Sequence, residues 1–172
     1  MMTAMWYALA RLVAYPDERT LIDARAMLAP AHAAPGAAAA LEFLEVTAPM
    51  TAAELQEEYT AAFDFDPACA LDLGWHLFGE SRERGAFLAG LREDLKSAGI
   101  TETHELPDHL THVLALLGRD DYARGRQLSD LVMPAVGAIE RALTRRGSPY
   151  AHVLAAVYAE LAALVDRAIA HR

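Results

Sequence analysis

Three histidines, three acids and a proline crowd into ETHELPDHLTHVLALLG, residues 102–118, just ahead of an apolar run. Such residues could bind a metal, shuttle protons, or simply start a helix. HELPDH superficially resembles the zincin H-E-x-x-H, which needs histidines four apart on one continuous helix. Here His104 and His109 are five apart, and Pro107 interrupts any helix through both. His109 and His112 are three apart and could share a helical face, but no further strong ligand stands beside them, against the demand of zinc for three or four. As an acid–base pair, Asp108 and His109 are neighbours; on a helix they point about 100° apart and do not orient each other. No serine or cysteine sits in a nucleophile elbow, and no glycine-rich phosphate loop is present. Helix-start chemistry accounts for the motif better. Pro107 suits a first turn, where its missing N–H has no partner to lose. Asp108 adds negative charge to the same turn, and Glu105 can cap it or pair with a nearby base. The expectation is no catalytic residue and no metal site.

Whole-chain properties narrow the function classes. The chain has 172 residues, enough for one core, and 54% are hydrophobic, many of them alanine. This predicts an all-α protein. With 15 Lys and Arg against 24 Asp and Glu, the net charge is −9, so binding to nucleic acid or to an anionic membrane is not expected. A basic partner suits such a chain. Cys69 is the only cysteine; it is expected to be a small buried hydrophobe. The start MMTAMWYALARLVAYPDE lacks a basic n-region and carries Arg11 within its apolar run. No signal peptide, no transmembrane span and a cytoplasmic location are therefore expected.

The elements that must position the motif follow from periodicity. Met5, Trp6, Leu9, Leu12 and Val13 predict a helix over 2–14, ended by Pro16. A second helix is predicted over 17–29, capped by Asp17, with Leu21, Ile22, Ala24 and Leu28 as its stripe. After the linker PAHAAPG comes a short helix presenting Leu41, Phe43, Leu44 and Val46. TAAE at 51–54 has capping-box form and opens a helix with Leu55, Tyr59, Ala62 and Phe63 on one face. Phe63, Phe65, Cys69, Leu71, Leu73, Trp75 and Leu77 alternate like a strand, but a lone strand in a helical chain lacks a partner, so helix plus loop is predicted over 64–79. ESRERGAFLAGLREDLKSAG predicts an amphipathic helix with Phe87, Leu88, Leu91 and Leu95 inward and Gly99 after its end. Further helices are predicted over 107–117, over DDYARGRQLSDLVMPAVGAIERALTRRG with Pro134 as kink or joint, and over 149–170.

ELPDHL resembles the signature of the NarJ/TorD-type chaperones, in which an acid and a proline precede Asp-His; Glu105, Pro107, Asp108 and His109 fill it. EEYTAAFDFDPACALDL and FGESRERG look like the nitrate-reductase branch of that family. Tyr59, Phe63, Asp64, Cys69, Leu71 and Leu73 match its first segment, and Gly79, Glu80, Ser81, Arg82, Arg84 and Gly85 match its second. The matches run from about 55 to 118 in one order and spacing. The resemblance implies an all-α single domain over 1–172, a bundle of about seven to nine helices, and no enzyme or cofactor of its own. It implies a cytoplasmic chaperone that binds the N-terminal segment of the apo catalytic subunit of a molybdenum oxidoreductase and holds it for cofactor insertion. The insertion machinery would be a second partner, and the chain a monomer or weak dimer. The expected client-peptide site is Glu105, Pro107, Asp108, His109, Tyr59, Phe63, Trp75, Leu77 and Phe78. Asp108, at an exposed helix end, would attract a basic residue; Trp75, Leu77 and Phe78 would supply the apolar contact. Gly79, Glu80, Ser81, Arg82, Arg84 and Gly85 would be structural. Two other readings are a helical regulatory module and a small metallohydrolase using His104, His109 and His112.

Overall fold

The computed structural model describes residues 2–119, 121 and 123–169. Among them the chain forms nine α-helices: α1 Met2–Val13, α2 Thr20–Leu28, α3 Ala37–Thr47, α4 Ala52–Phe63, α5 Leu73–Phe78, α6 Arg82–Ser97, α7 Leu110–Leu117, α8 Gly125–Arg146 and α9 Tyr150–Ile169. Short 3-10 turns occupy Ala29–Ala31 and Pro67–Cys69. The predicted all-α class holds, with no strand among the described residues. Asp120, Tyr122 and residue 170, which the predicted spans include, lie outside the described residues.

α1 sits at the centre. Met5, Trp6, Leu9, Leu12 and Val13 are all buried, and the helix packs against both α2 and α7. α8 and α9 form an antiparallel pair along their lengths, and α3 lies on α9. Pro134 neither ends nor splits α8. It stands on the exposed side, where the carbonyl it leaves unbonded can face water. α8 ends at Gly147, which adopts φ +68 and lets the Ser148 N–H close back on the Leu143 carbonyl at 3.1 Å.

Several predicted details shift for local reasons. α2 begins at Thr20, not 17, because the Asp17 carboxylate accepts the Arg19 N–H at 2.8 Å and forms a turn ahead of the helix. Ile22 is 64% exposed; α2 meets the core through Thr20, Ala24 and Leu28 instead. In α3 the buried row is Ala37, Ala40, Phe43, Leu44 and Thr47, so Leu41 and Val46 fall on the exposed side. By contrast, the capping box at Thr51 and Glu54 forms in both directions, and Leu55, Tyr59, Ala62 and Phe63 are all buried as predicted.

One contact closes the bundle across a long sequence interval. The Gly36 N–H, at the start of α3, donates to Glu160 Oε1 of α9 at 2.8 Å. Glu160 is buried, and a Cβ on Gly36 would overlap the Ala156 carbonyl oxygen. Backbone cannot retreat there cheaply. Gly36→Ala is therefore expected to cost about 2 kcal/mol, read as a lower denaturation midpoint in urea at unchanged slope.

Candidate functional site

The two motif segments meet. Loop 70–73 and loop 107–110 run antiparallel for a single bridge, Asp72 opposite His109. The Leu73 N–H donates to the Asp108 carbonyl at 3.0 Å, and the Leu110 N–H to the Leu71 carbonyl at 2.9 Å. This is all that the period-2 pattern of residues 63–77 yields. Helix plus loop is the outcome elsewhere, as predicted.

Pro107 and Asp108 are the central residues of a turn closed by the His109 N–H on the Leu106 carbonyl at 3.0 Å. The Asp108 side chain is buried beneath that turn, whereas His109, in the bridge, lines a cleft. Bonds flank the Asp72–His109 pair and do not join it, and in that arrangement opposing side chains approach most closely. Both line the same cleft.

Asp108 is fully buried. Its Oδ2 accepts from the Gly74 N–H at 3.1 Å and from Arg84 Nε and Nη2 at 3.2 Å each. A Cβ on Gly74 would stand 2.5 Å from that oxygen, so glycine is required for the approach. The expectation that Asp108 lies at an exposed helix end is thus corrected. The helix starts at 110, Asp108 precedes the cap, and its charge is spent on Arg84. Pro107 is likewise buried in the turn before the helix, not in its first turn.

FGESRERG is the device that delivers Arg84. Gly79 ends α5 with φ +57, a conformation that favours glycine. Ser81 then caps α6, its Oγ accepting the Arg84 N–H at 3.3 Å. Glu83 lies in the first turn, where the dipole favours it, and its hydrogen bonds there hold its carboxyl below the usual range. Glu80, Arg82 and Gly85 are exposed. Of the two motif arginines, only Arg84 reaches the buried acid.

The histidines have separate duties. His112 is buried, with Nδ1–H donating to the Leu106 carbonyl at 2.9 Å and Nε2 accepting the Thr103 N–H at 3.1 Å. It clamps loop 103–106. His104 is exposed and pairs with Glu105 at 2.9 Å. His109 caps α7, its Nδ1 accepting the Thr111 N–H at 3.3 Å. Among the described residues no three metal-ligating side chains converge. His109 is 6% exposed, and burial holds its pKa down at about 4 against the opposing pull of Glu105.

The cleft has a volume of about 210 Å³. Tyr15, Tyr59 and Phe63 form its aromatic wall, and Asp64, Asp72, Glu105, His104 and His109 its polar one. Tyr59 stacks edge-on with Tyr15 at 5.4 Å and with Phe63 at 4.9 Å, and its hydroxyl donates to the Val13 carbonyl at 3.1 Å. A second depression shares Phe63, Asp64, Ala70 and Asp72 and extends the cleft past Phe65 and Trp75 to Arg84. Phe65 is 76% exposed. The structure thus gathers Tyr59, Phe63, Trp75, Glu105 and His109 around one groove. Leu77 and Phe78 are not in it: Leu77 packs on the core and Phe78 stacks on Phe87 at 5.4 Å. Sequence reasoning missed Tyr15, Asp64, Phe65, Asp72 and Gly74 as site residues; the Gly inside an apolar run was the one available signal. Away from the groove, α2, α3 and α4 enclose an apolar trough of about 650 Å³ lined by Leu21, Ile22, Leu44, Met50 and Leu55 among others.

An all-helical bundle in which a Gly-Glu-Ser-Arg-x-Arg-Gly helix start grips a Pro-Asp-His turn defines the class of protein. The chain matches the nitrate reductase delta subunit family over residues 29–156, and it belongs to that family. It is 30% identical to the nitrate reductase-like protein NarX of Mycobacterium tuberculosis over 156 residues, 89% of this chain and 24% of that one. It is also 30% identical to the nitrate reductase molybdenum cofactor assembly chaperone NarJ of Escherichia coli K12 over 110 residues, 63% of this chain and 47% of NarJ. The matched region spans about a quarter of the first relative and about half of the second.

Two outcomes follow for stability. Arg84→Met leaves Asp108 buried without its cation and is expected to cost about 3 kcal/mol, whereas Arg82→Met should stay within about 0.5 kcal/mol; chemical denaturation compares them. The second concerns acid. His109 titrates near 6.5 when unfolded and near 4 when folded, so the unfolded chain takes up the proton first. Its contribution is complete above pH 6.5 and is lost as pH falls toward 4. The wild type should lose more stability between pH 7 and 4.5 than His109→Asn, which can still cap α7 but does not titrate.

Proposed function

We propose that this chain is a maturation chaperone for a molybdenum-containing oxidoreductase, a nitrate reductase or a relative of one. In this reading it works in the cytoplasm, binds the N-terminal segment of the apo catalytic subunit, and holds that subunit competent for cofactor insertion. It performs no catalysis and carries no cofactor of its own. Family membership and the cofactor-assembly role of the relative NarJ support the client class. The observation that carries the binding mode is the groove itself. Phe65, Tyr15, Trp75, Asp64 and Glu105 converge there, with the first two well exposed, and folding alone gives no reason to collect them. No helix among the described residues is long and apolar enough to cross a membrane, which agrees with a protein that meets its client before the client is placed in any membrane.

The roles of individual residues change from those expected. Asp108 and Arg84 hold the groove's floor and do not touch the client. Tyr59, Phe63, Trp75, Glu105 and His109 line the surface, joined by Tyr15 and Phe65. Pro107 shapes the turn that presents His109. Leu77 and Phe78 serve packing.

Co-expression tests the proposal. A tagged chain would be produced with the catalytic subunit from the same genome, in a host unable to make the molybdenum cofactor. The apo subunit is expected to copurify. Phe65→Glu should reduce recovery at least about tenfold, as loss of an interface anchor does, with thermal stability unchanged. Ile22→Glu, in the apolar trough, should leave it intact. Loss with Ile22→Glu alone would move the client site to the trough, and no copurification in any form would remove the chaperone reading.

A further inference from the structure

Asp72 stands at the N-cap of α5, yet its carboxylate makes no capping bond. That is unusual use of an aspartate, because a cap normally satisfies the first helical N–H groups. Here Asp108 does so instead: the Gly74 N–H, inside the first turn of α5, is taken by Asp108 Oδ2 across the bridge. The neighbouring cation is also committed, since Arg84 faces Asp108. Asp72 therefore makes no side-chain hydrogen bond or ion pair among the described residues, although it is only partly exposed. Burial and the nearby Asp108 and Glu105 hold its pKa above the usual carboxylate range, against the opposing pull of Arg84 and His76.

The cleft around it is consistent in kind. Glu105 and Asp64 add negative charge, and Tyr15, Tyr59 and Phe63 supply ring surface. Among the described residues no lysine or arginine lines its wall, and His104 there already pairs with Glu105. His109 is nine-tenths buried and lines the same cleft, with Nδ1 occupied by Thr111. Its Nε2–H has no acceptor among the described residues. Because burial keeps this ring neutral at physiological pH, it does not repel a cation. At about 210 Å³ the space suits one long side chain better than a cofactor, whose pockets run from about 300 to 1,000 Å³.

We infer that the cleft reads one cationic side chain of the bound client segment. The ammonium or guanidinium lies between the Asp72 and Glu105 carboxylates against the aromatic wall, and His109 Nε2–H donates to a backbone carbonyl of the same segment. Carboxylates pair with the charge, and the ring faces add cation–π attraction in a partly desolvated site. The inference rests on the chaperone reading and adds to it the chemistry that sets register: a lysine or arginine at a fixed place, flanked by apolar residues that reach Phe65 and Trp75.

Calorimetry with the full chain tests this. The probes are short overlapping synthetic peptides that tile the N-terminal part of the molybdenum-binding catalytic subunit from the same genome. In the peptide that binds, each arginine is replaced in turn by citrulline and each lysine by norleucine. One such replacement is expected to weaken binding about tenfold, in keeping with a close charge pair. Asp72→Asn should weaken the unmodified peptide by a similar factor, and the two changes together should cost little more than either alone. Asp72→Asn removes no structural bond, so its melting temperature should match the wild type; Glu105→Gln provides a second variant, with a smaller expected loss. Binding that ignores every cation replacement, or that loses affinity additively with Asp72→Asn, overturns the inference and leaves the chaperone reading standing. If no peptide binds, the inference falls together with N-terminal recognition.

Discussion

The buried contact between Arg84 and Asp108 is the constraint on which the site depends. It joins two stretches 24 residues apart. To reach it, α5 must stop at a glycine, α6 must start on a serine cap, and a Pro-Asp turn must aim its acid inward. Gly74 must lack a side chain so that the carboxylate can approach. Removing a carboxylate and a guanidinium from water is costly, and their attraction offsets that only with good geometry and extra hydrogen bonds. The contact is thus poor evidence for added stability. What it supplies is position: with Asp108 anchored, His109 and Asp72 have only one side on which to emerge.

Much of the architecture was legible because helical signals are local. The Thr51–Glu54 box, the Tyr59–Phe63 face and Gly99 after a helix end each follow from a few neighbouring residues. What failed depended on distant ones. Ile22, Leu41 and Val46 have the right type for burial but fall on the exposed sides of their helices, which depends on how those helices are rotated against the bundle. Asp108 has the right spacing for a first turn, yet it sits in a tight turn ahead of the helix, its carbonyl taken by the Leu73 N–H across the bridge. The alternation in residues 63–77 was a true signal of extended chain, expressed over one pair of residues only. That pair could not be found without knowing that loop 107–110 lies alongside.

The histidine-rich segment shows how one composition can serve several purposes. His112 uses both ring nitrogens on the backbone of loop 103–106, His109 caps a helix and faces a cleft, and His104 pairs with its neighbour in solvent. Proximity in sequence suggested a shared task. The geometry divides it, because a turn, a bridge residue and a helix present their side chains in three directions. The chemistry of the groove comes instead from residues that drew little notice as a group, namely Tyr15, Asp64, Phe65 and Asp72.

The hydrogen bond from Gly36 to Glu160 has a bearing on how the protein is made. It spans 124 residues, and α3 packs on α9 more than on its immediate neighbours in sequence. On the ribosome, α3 is synthesised long before the side chain that satisfies its first amide exists. Long-range closure of this kind slows folding, and waiting surfaces invite misassociation. The amino-terminal half of the chain therefore leaves the exit tunnel with the face of α3 that packs on α9 still uncovered, and that face waits for the end of translation to be closed.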